Sequence, residues 1–132
     1  MNKIGEKTNM EKEAPLDLRT RTSDFALRIV KLYASLPKTT EAQVLGRQVL
    51  RSGTSVGANY REGSRAKSDA DIVNKFESVL QELDETDYWL DLLVKSGILP
   101  SKKAEELIKE TNELLAIFTT IVTKIKKRMG KI

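Results

Sequence analysis

The 132-residue chain contains no cysteine and no histidine. The first absence removes disulfide frameworks, thiol nucleophiles and cysteine-ligated metals. The second removes the imidazole general base and the commonest zinc ligand, and with the two together most familiar catalytic constellations go. Aromatic residues make up only 5% of the chain, so a base-stacking platform has little to be built from. No run approaches the roughly 18 apolar residues of a membrane-spanning helix. The opening MNKIGEKTNMEKE lacks the apolar stretch of a signal peptide. A cytoplasmic location and no membrane partner are the expectation.

What is present is a globular, charge-rich composition, 39% apolar and 32% charged. The length suits one domain with a real core. The net charge of +4 is mild, but its layout is dipolar: residues 19–67 carry 10 basic and 3 acidic side chains, whereas residues 68–96 carry 2 basic and 8 acidic. Residues 97–132 are basic again, with 8 against 4.

The 3 prolines, Pro15, Pro37 and Pro100, fall between periodic segments and punctuate a helical chain. Leu18, Phe25, Ile29, Leu32 and Leu36 recur at the spacing of one helical stripe. Thr40 with Gln43 fits a capping box opening a second helix, whose stripe is Ala42, Leu45, Val49, Val56 and Tyr60. Ser68 with Asp71 opens a third, carrying Ile72, Phe76, Val79, Leu83, Leu90, Leu93 and Val94 and closed by a left-handed cap at Gly97. Ser101 opens a fourth bearing Leu107, Thr111, Leu114, Phe118, Ile121, Ile125 and Met129. With no alternating strand pattern, the fold class predicted is all-α, an antiparallel up-down-up-down four-helix bundle. Its helices span approximately 18–36, 40–62, 68–96 and 101–129, in a domain of residues 16–132 behind a mobile N-terminal arm, 1–15.

The segment SGTSVGANYREGSR at 52–65, the opening DLRTRTSDFALRIVKLYASLP and YWLDLL at 88–93 resemble the bacterial four helix bundle protein family, also called the 23S rRNA intervening sequence protein family. The resemblance covers roughly residues 16–128. It implies a four-helix protomer assembled into a homopentamer, without enzymatic activity. The family's settings are reading frames inside large-subunit rRNA genes, with distant relatives among nucleic-acid-binding accessory proteins of diversity-generating retroelements.

On the second helix, at 100° per residue, Arg47, Arg51, Thr54, Arg61 and Arg65 fall within about 80° of one another, opposite the apolar stripe. A row of guanidiniums suits a phosphate backbone, and Lys67, Lys124 and Lys127 extend it. The bland reading of the row is a solvated helix face; that of the C-terminal lysines is compensation of the helix dipole. Glu77, Asp84 and Asp91 recur every seven residues on the third helix, with Glu85 and Asp87 nearby, and offer a partner for the arginine row of a neighbouring subunit. Tyr88, Trp89 and Leu92 lie away from the core stripe of that helix and read either as a subunit contact or as a wide stripe under the N-terminal tail. Gly46, Gly53 and Gly57 share one flank of the second helix. Each costs about 1 kcal/mol against alanine, so Gly53 and Gly57 are assigned to a close helix contact in the oligomer, with a kink as the other reading. Asn59 reads as a structural amide.

GSRAKS at 63–68 fails as a phosphate-binding loop, because Arg61 and Ala66 stand where glycines are required and no strand precedes it. Carboxylates seven residues apart on one helix stand roughly 10 Å apart, too far to share a cation. The expected function is therefore a non-catalytic homo-oligomer that binds structured RNA through Arg47, Arg51, Arg61, Arg65, Lys67, Lys124 and Lys127, with no cofactor, metal or small-molecule substrate. The alternative is a protein-interaction scaffold with self-complementary charged stripes.

Overall fold

The computed structural model describes residues 17–132, which form four helices and no strand. They are α1 (Leu18–Ser35), α2 (Thr40–Ser64), α3 (Asp69–Lys95) and α4 (Ser101–Arg128). The arm predicted over 1–15 lies outside the described residues.

Three of the four helices begin where a side chain supplies the acceptor the first turn lacks, and the fourth begins at a proline. Asp17 accepts from the Thr20 N–H at 3.1 Å to start α1, and hydrogen bonding to Thr20, through its side chain first and its N–H second, holds the carboxyl below the usual range. The α2 cap is Thr39, which accepts from Ala42 N–H at 3.3 Å, one residue before the predicted Thr40. Gln43 does not close a capping box there: its amide donates to the Pro37 carbonyl and accepts from the Tyr33 hydroxyl, stitching the α1–α2 turn. Ser68 caps α3 as predicted, accepting from Asp71 N–H at 3.1 Å. The predicted Ser101 cap is displaced: Pro100 holds the cap position of α4 without a side-chain bond, and its φ suits the first turn. Gly97, with φ of +81°, ends the α3 turn, while the Ile98 and Leu99 N–H groups both donate to the Leu93 carbonyl.

The helices pack in sequence, α1 on α2, α2 on α3 and α3 on α4, and the bundle closes only lightly between α1 and α4. Phe25, Ile29, Val49, Val56, Val79, Leu83, Leu90, Leu93, Leu114 and Phe118 are fully buried along the shared axis. Burial of such side chains contributes roughly 1.5–3 kcal/mol each. Val73 and Val122, outside the predicted stripes, are buried, whereas Leu45, Tyr60, Ile72, Val94, Ile121 and Met129 are half-buried on the margin. Tyr60, Phe76 and Phe118 form an aromatic cluster with centroids 5.3–5.9 Å apart, joining α2, α3 and α4. The light α1–α4 seam is crossed by Arg21, which donates to both oxygens of Glu110 at 2.7 and 2.8 Å and to Glu113 at 2.8 Å.

Gly53 and Gly57 do not face outward. A Cβ on Gly53 would stand 2.7 Å from Ile29 Cγ1 and one on Gly57 3.4 Å from Thr22 Oγ1, so both glycines sit where α1 of the same chain crosses α2. The close approach predicted from the sequence exists, but within the protomer. The helix runs unbroken through residues 40–64, so these glycines do not interrupt it.

Candidate nucleic-acid interface

Alternating helix direction brings the end of α2, the start of α3 and the end of α4 to one end of the bundle. Three ion pairs register that junction: Glu62 with Lys75, Asp69 with Arg128 and Glu77 with Lys126. Arg61, Arg65, Lys67, Lys124 and Lys127 belong to the same end, and none of the five has a carboxylate within 4.0 Å among the described residues. Arg65 stays on the line of α2 because, as its C-cap, it keeps near-helical angles of φ −102° and ψ −1°. Arg61 is half-buried and lines a shallow groove of about 190 Å³ between α1 and α2 with Thr22, Ser23, Thr54 and Gly57. Lys67, Lys124 and Lys127 are exposed.

The arginine row is not one continuous surface. Arg47 is exposed but stands 14 residues before Arg61 in the sequence, roughly 21 Å away along the helix axis. Arg51 turns toward α3, donating to Glu82 at 3.2 Å and to Glu85. The Glu85 bond is the first cause of its raised pKa. That pair engages Glu85, beside the acidic stripe, within one chain, where the sequence also offered a neighbouring subunit as the partner. Glu77 is likewise held by Lys126, and Asp91 by Lys95 one turn on. Asp84 is exposed and carries no ion pair among the described residues. Asn59 donates to the Ser55 carbonyl at 3.0 Å, a local structural role.

On α3, Tyr88 is 55% exposed, Leu92 half-buried and Trp89 half-buried against the core. Tyr88 and Trp89 meet edge to face at 4.9 Å between centroids. The Trp89 Nε1 is buried without a hydrogen-bond partner among the described residues. The indole therefore supports the fold, and the Tyr88 ring is the part that faces away from it.

A feature absent from the sequence reading lies at the opposite end, where α1 and α4 separate. Leu32, Leu99 and Leu107 floor a groove of about 320 Å³ rimmed by Arg28, Lys31 and Lys103, with Glu106 as its one carboxylate. Arg28 and Lys31, one turn apart beside exposed Leu27, are its signal in the sequence.

The family model described as 23S rRNA-intervening sequence protein matches residues 15–120. The chain belongs to that family. The matched span includes Arg47, Arg51, Arg61, Arg65 and Lys67 and ends before Lys124 and Lys127. A solved structure from Bacteroides thetaiotaomicron, a protein of unknown function from the S23 ribosomal protein family, is 38% identical and superposes with a TM-score of 0.74. The similarity covers 79% of this chain and 96% of that one. No curated protein matches the chain. Neither the family description nor the neighbour's names a reaction. No described helix is long and apolar enough to cross a membrane.

Proposed function

We propose that the protein is a non-catalytic homo-oligomeric bundle that binds structured RNA by its phosphates, at the end where α2 and α4 finish. The observation that carries this reading is the sorting of cations there. Lys75, Lys126 and Arg128 are engaged by carboxylates, whereas Arg61, Arg65, Lys67, Lys124 and Lys127 are left without one among the described residues. Cations without a carboxylate, carried at helix ends and in the α2–α3 turn, present positive charge to a polyanion, and guanidiniums can fork onto phosphate oxygens. Tyr60 is drawn into the Phe76–Phe118 cluster, which among the described residues leaves this end without a free ring for base stacking and favours recognition of backbone shape. The family's tie to 23S rRNA genes accords with an RNA partner. The cytoplasm is the compartment such a partner requires.

Fluorescence-anisotropy titration of a structured RNA tests this. Arg61→Gln/Arg65→Gln/Lys67→Gln is expected to weaken binding at least tenfold while leaving helicity unchanged; undiminished binding would refute the assignment. A protein scaffold is the competing reading, favoured by Arg51, whose charge is spent on Glu82 and Glu85. Retained self-association with no RNA binding at about 50 mM salt is its signature.

A further inference from the structure

Two surfaces at the end of the bundle away from the proposed RNA site carry opposite charge beside exposed apolar groups. One is the groove between α1 and α4, with its apolar floor of Leu32, Leu99 and Leu107 under the cations Arg28, Lys31 and Lys103. None of these three cations has an ion-pair partner among the described residues, although Glu106 stands on the rim. The other is the outer ridge of α3, where Asp84, Tyr88, Asp91 and Leu92 fall at i, i+4, i+7 and i+8 and so share one face. Tyr88 is 55% exposed there, an aromatic side chain with no place in its own core.

We propose that the α3 ridge of one copy seats in the α1–α4 groove of the next, Tyr88 over the leucine floor and Asp84 and Asp91 against Arg28, Lys31 and Lys103. This deepens, and rests on, the oligomeric part of the reading above. Charge complementarity selects the occupant: on the ridge Asp84 has no ion pair among the described residues and Asp91 is held only by exposed Lys95 one turn on, while the free charge on the groove rim is mainly positive. The Tyr88 ring supplies the apolar contact that exposed ion pairs, at about 0–1 kcal/mol each, do not. The two surfaces are different patches, so the contact is heterologous. They lie at the same height, because the second halves of α1 and α3 and the start of α4 share one end of the bundle. Successive copies are then related by rotation about an axis along the bundle, the arrangement that can close into a ring.

Native mass spectrometry of the full chain at micromolar concentration tests the pairing. Arg28→Glu/Lys31→Glu, which breaks only the groove, and Tyr88→Ser, which breaks only the ridge, are each expected to lose the wild-type assembly. Mixed together, they are expected to give a one-to-one dimer and nothing larger, through the single intact groove and single intact ridge; this recovery also shows that both variants are folded. Wild-type stoichiometry in the groove variant, or no heterodimer on mixing, overturns the ridge-in-groove contact while leaving oligomerisation standing. A monomeric wild type overturns both.

Discussion

Arg51 on α2 donates to Glu85 on α3, so a guanidinium that the sequence aligns with a phosphate-binding row is spent on holding two helices of one chain together. A second nitrogen reaches Glu82 at 3.2 Å, and the three side chains form a surface clip between neighbouring helices. Because the arginine side chain is 49% exposed, the clip contributes only about 0–1 kcal/mol. Arg51→Gln is therefore expected to lower stability within that range and to change RNA affinity less than twofold. Affinity loss as large as that of Arg61→Gln would show that Arg51 leaves its carboxylates when RNA arrives.

The glycines of α2 give a contrast within one helix. Gly53 has no room, since a Cβ there meets Ile29 Cγ1 at 2.7 Å and Ile29 is fully buried. Gly53→Ala is expected to destabilise by about 1–3 kcal/mol through overpacking. At Gly57 the nearest atom stands at 3.4 Å, an ordinary contact. There the gain in helix propensity, up to about 1 kcal/mol, makes Gly57→Ala neutral or stabilising. Urea denaturation of both variants checks the order; equal destabilisation would contradict the α1–α2 crossing described above.

Trp89 separates folding from association. Trp89→Phe keeps most of the packing and removes a buried N–H without a partner among the described residues, so a loss within about 1.5 kcal/mol is expected. Trp89→Ala leaves a cavity beside the core and is expected to cost about 3 kcal/mol. If chemical denaturation finds the two equally costly, the indole N–H has a partner and the packing account is wrong.

Asp87 sets the sign of one pH effect. Burial chiefly, then the like charges of Asp91 and Asp84, raise its carboxyl pKa against the lowering effect of Asn112. The folded chain thus holds this proton to higher pH than the unfolded chain, and the group's contribution to stability falls as pH rises from the ordinary carboxylate value of about 3.9 through the raised one. Asp17 and Asp69 act oppositely: held low by Thr20 and by Arg128, they contribute above the ordinary carboxylate range and lose that contribution as pH falls through their lowered values. Asp87→Asn is expected to be more stable than wild type at pH 7, with the difference shrinking toward zero below about pH 4. A difference that does not vary with pH would contradict the burial of that carboxylate.

Helix existence and order were legible because Phe25, Ile29, Val49, Leu83, Leu90 and Phe118 repeat at helical period and are the residues found fully buried. Capping was less so: Thr39 and Thr40 carry the same hydroxyl, and adjacency in sequence does not say which one adopts the extended backbone angles of a cap. The glycine flank announced a close approach but not its partner, which required knowing that Ile29 and Thr22 cross over it. Helical angles placed Arg51 in the cationic row; only the rotation of α2 against α3 decides that its guanidinium meets Glu82 and Glu85. The α1–α4 groove was legible only at its rim, through Arg28 and Lys31, because Leu32 and Leu107 read as ordinary core residues and become a floor only where two helices separate.

The central claim, that unpaired cations at the α2 and α4 ends hold RNA by its phosphates, is tested most directly by the salt dependence of binding. If each protomer contacts about three phosphates, log K against log salt concentration has a slope of about −2 to −3 per protomer engaged. Arg61→Gln/Arg65→Gln/Lys67→Gln makes that slope shallower by about 2. A slope near zero, or one the triple substitution leaves unchanged, would contradict the account.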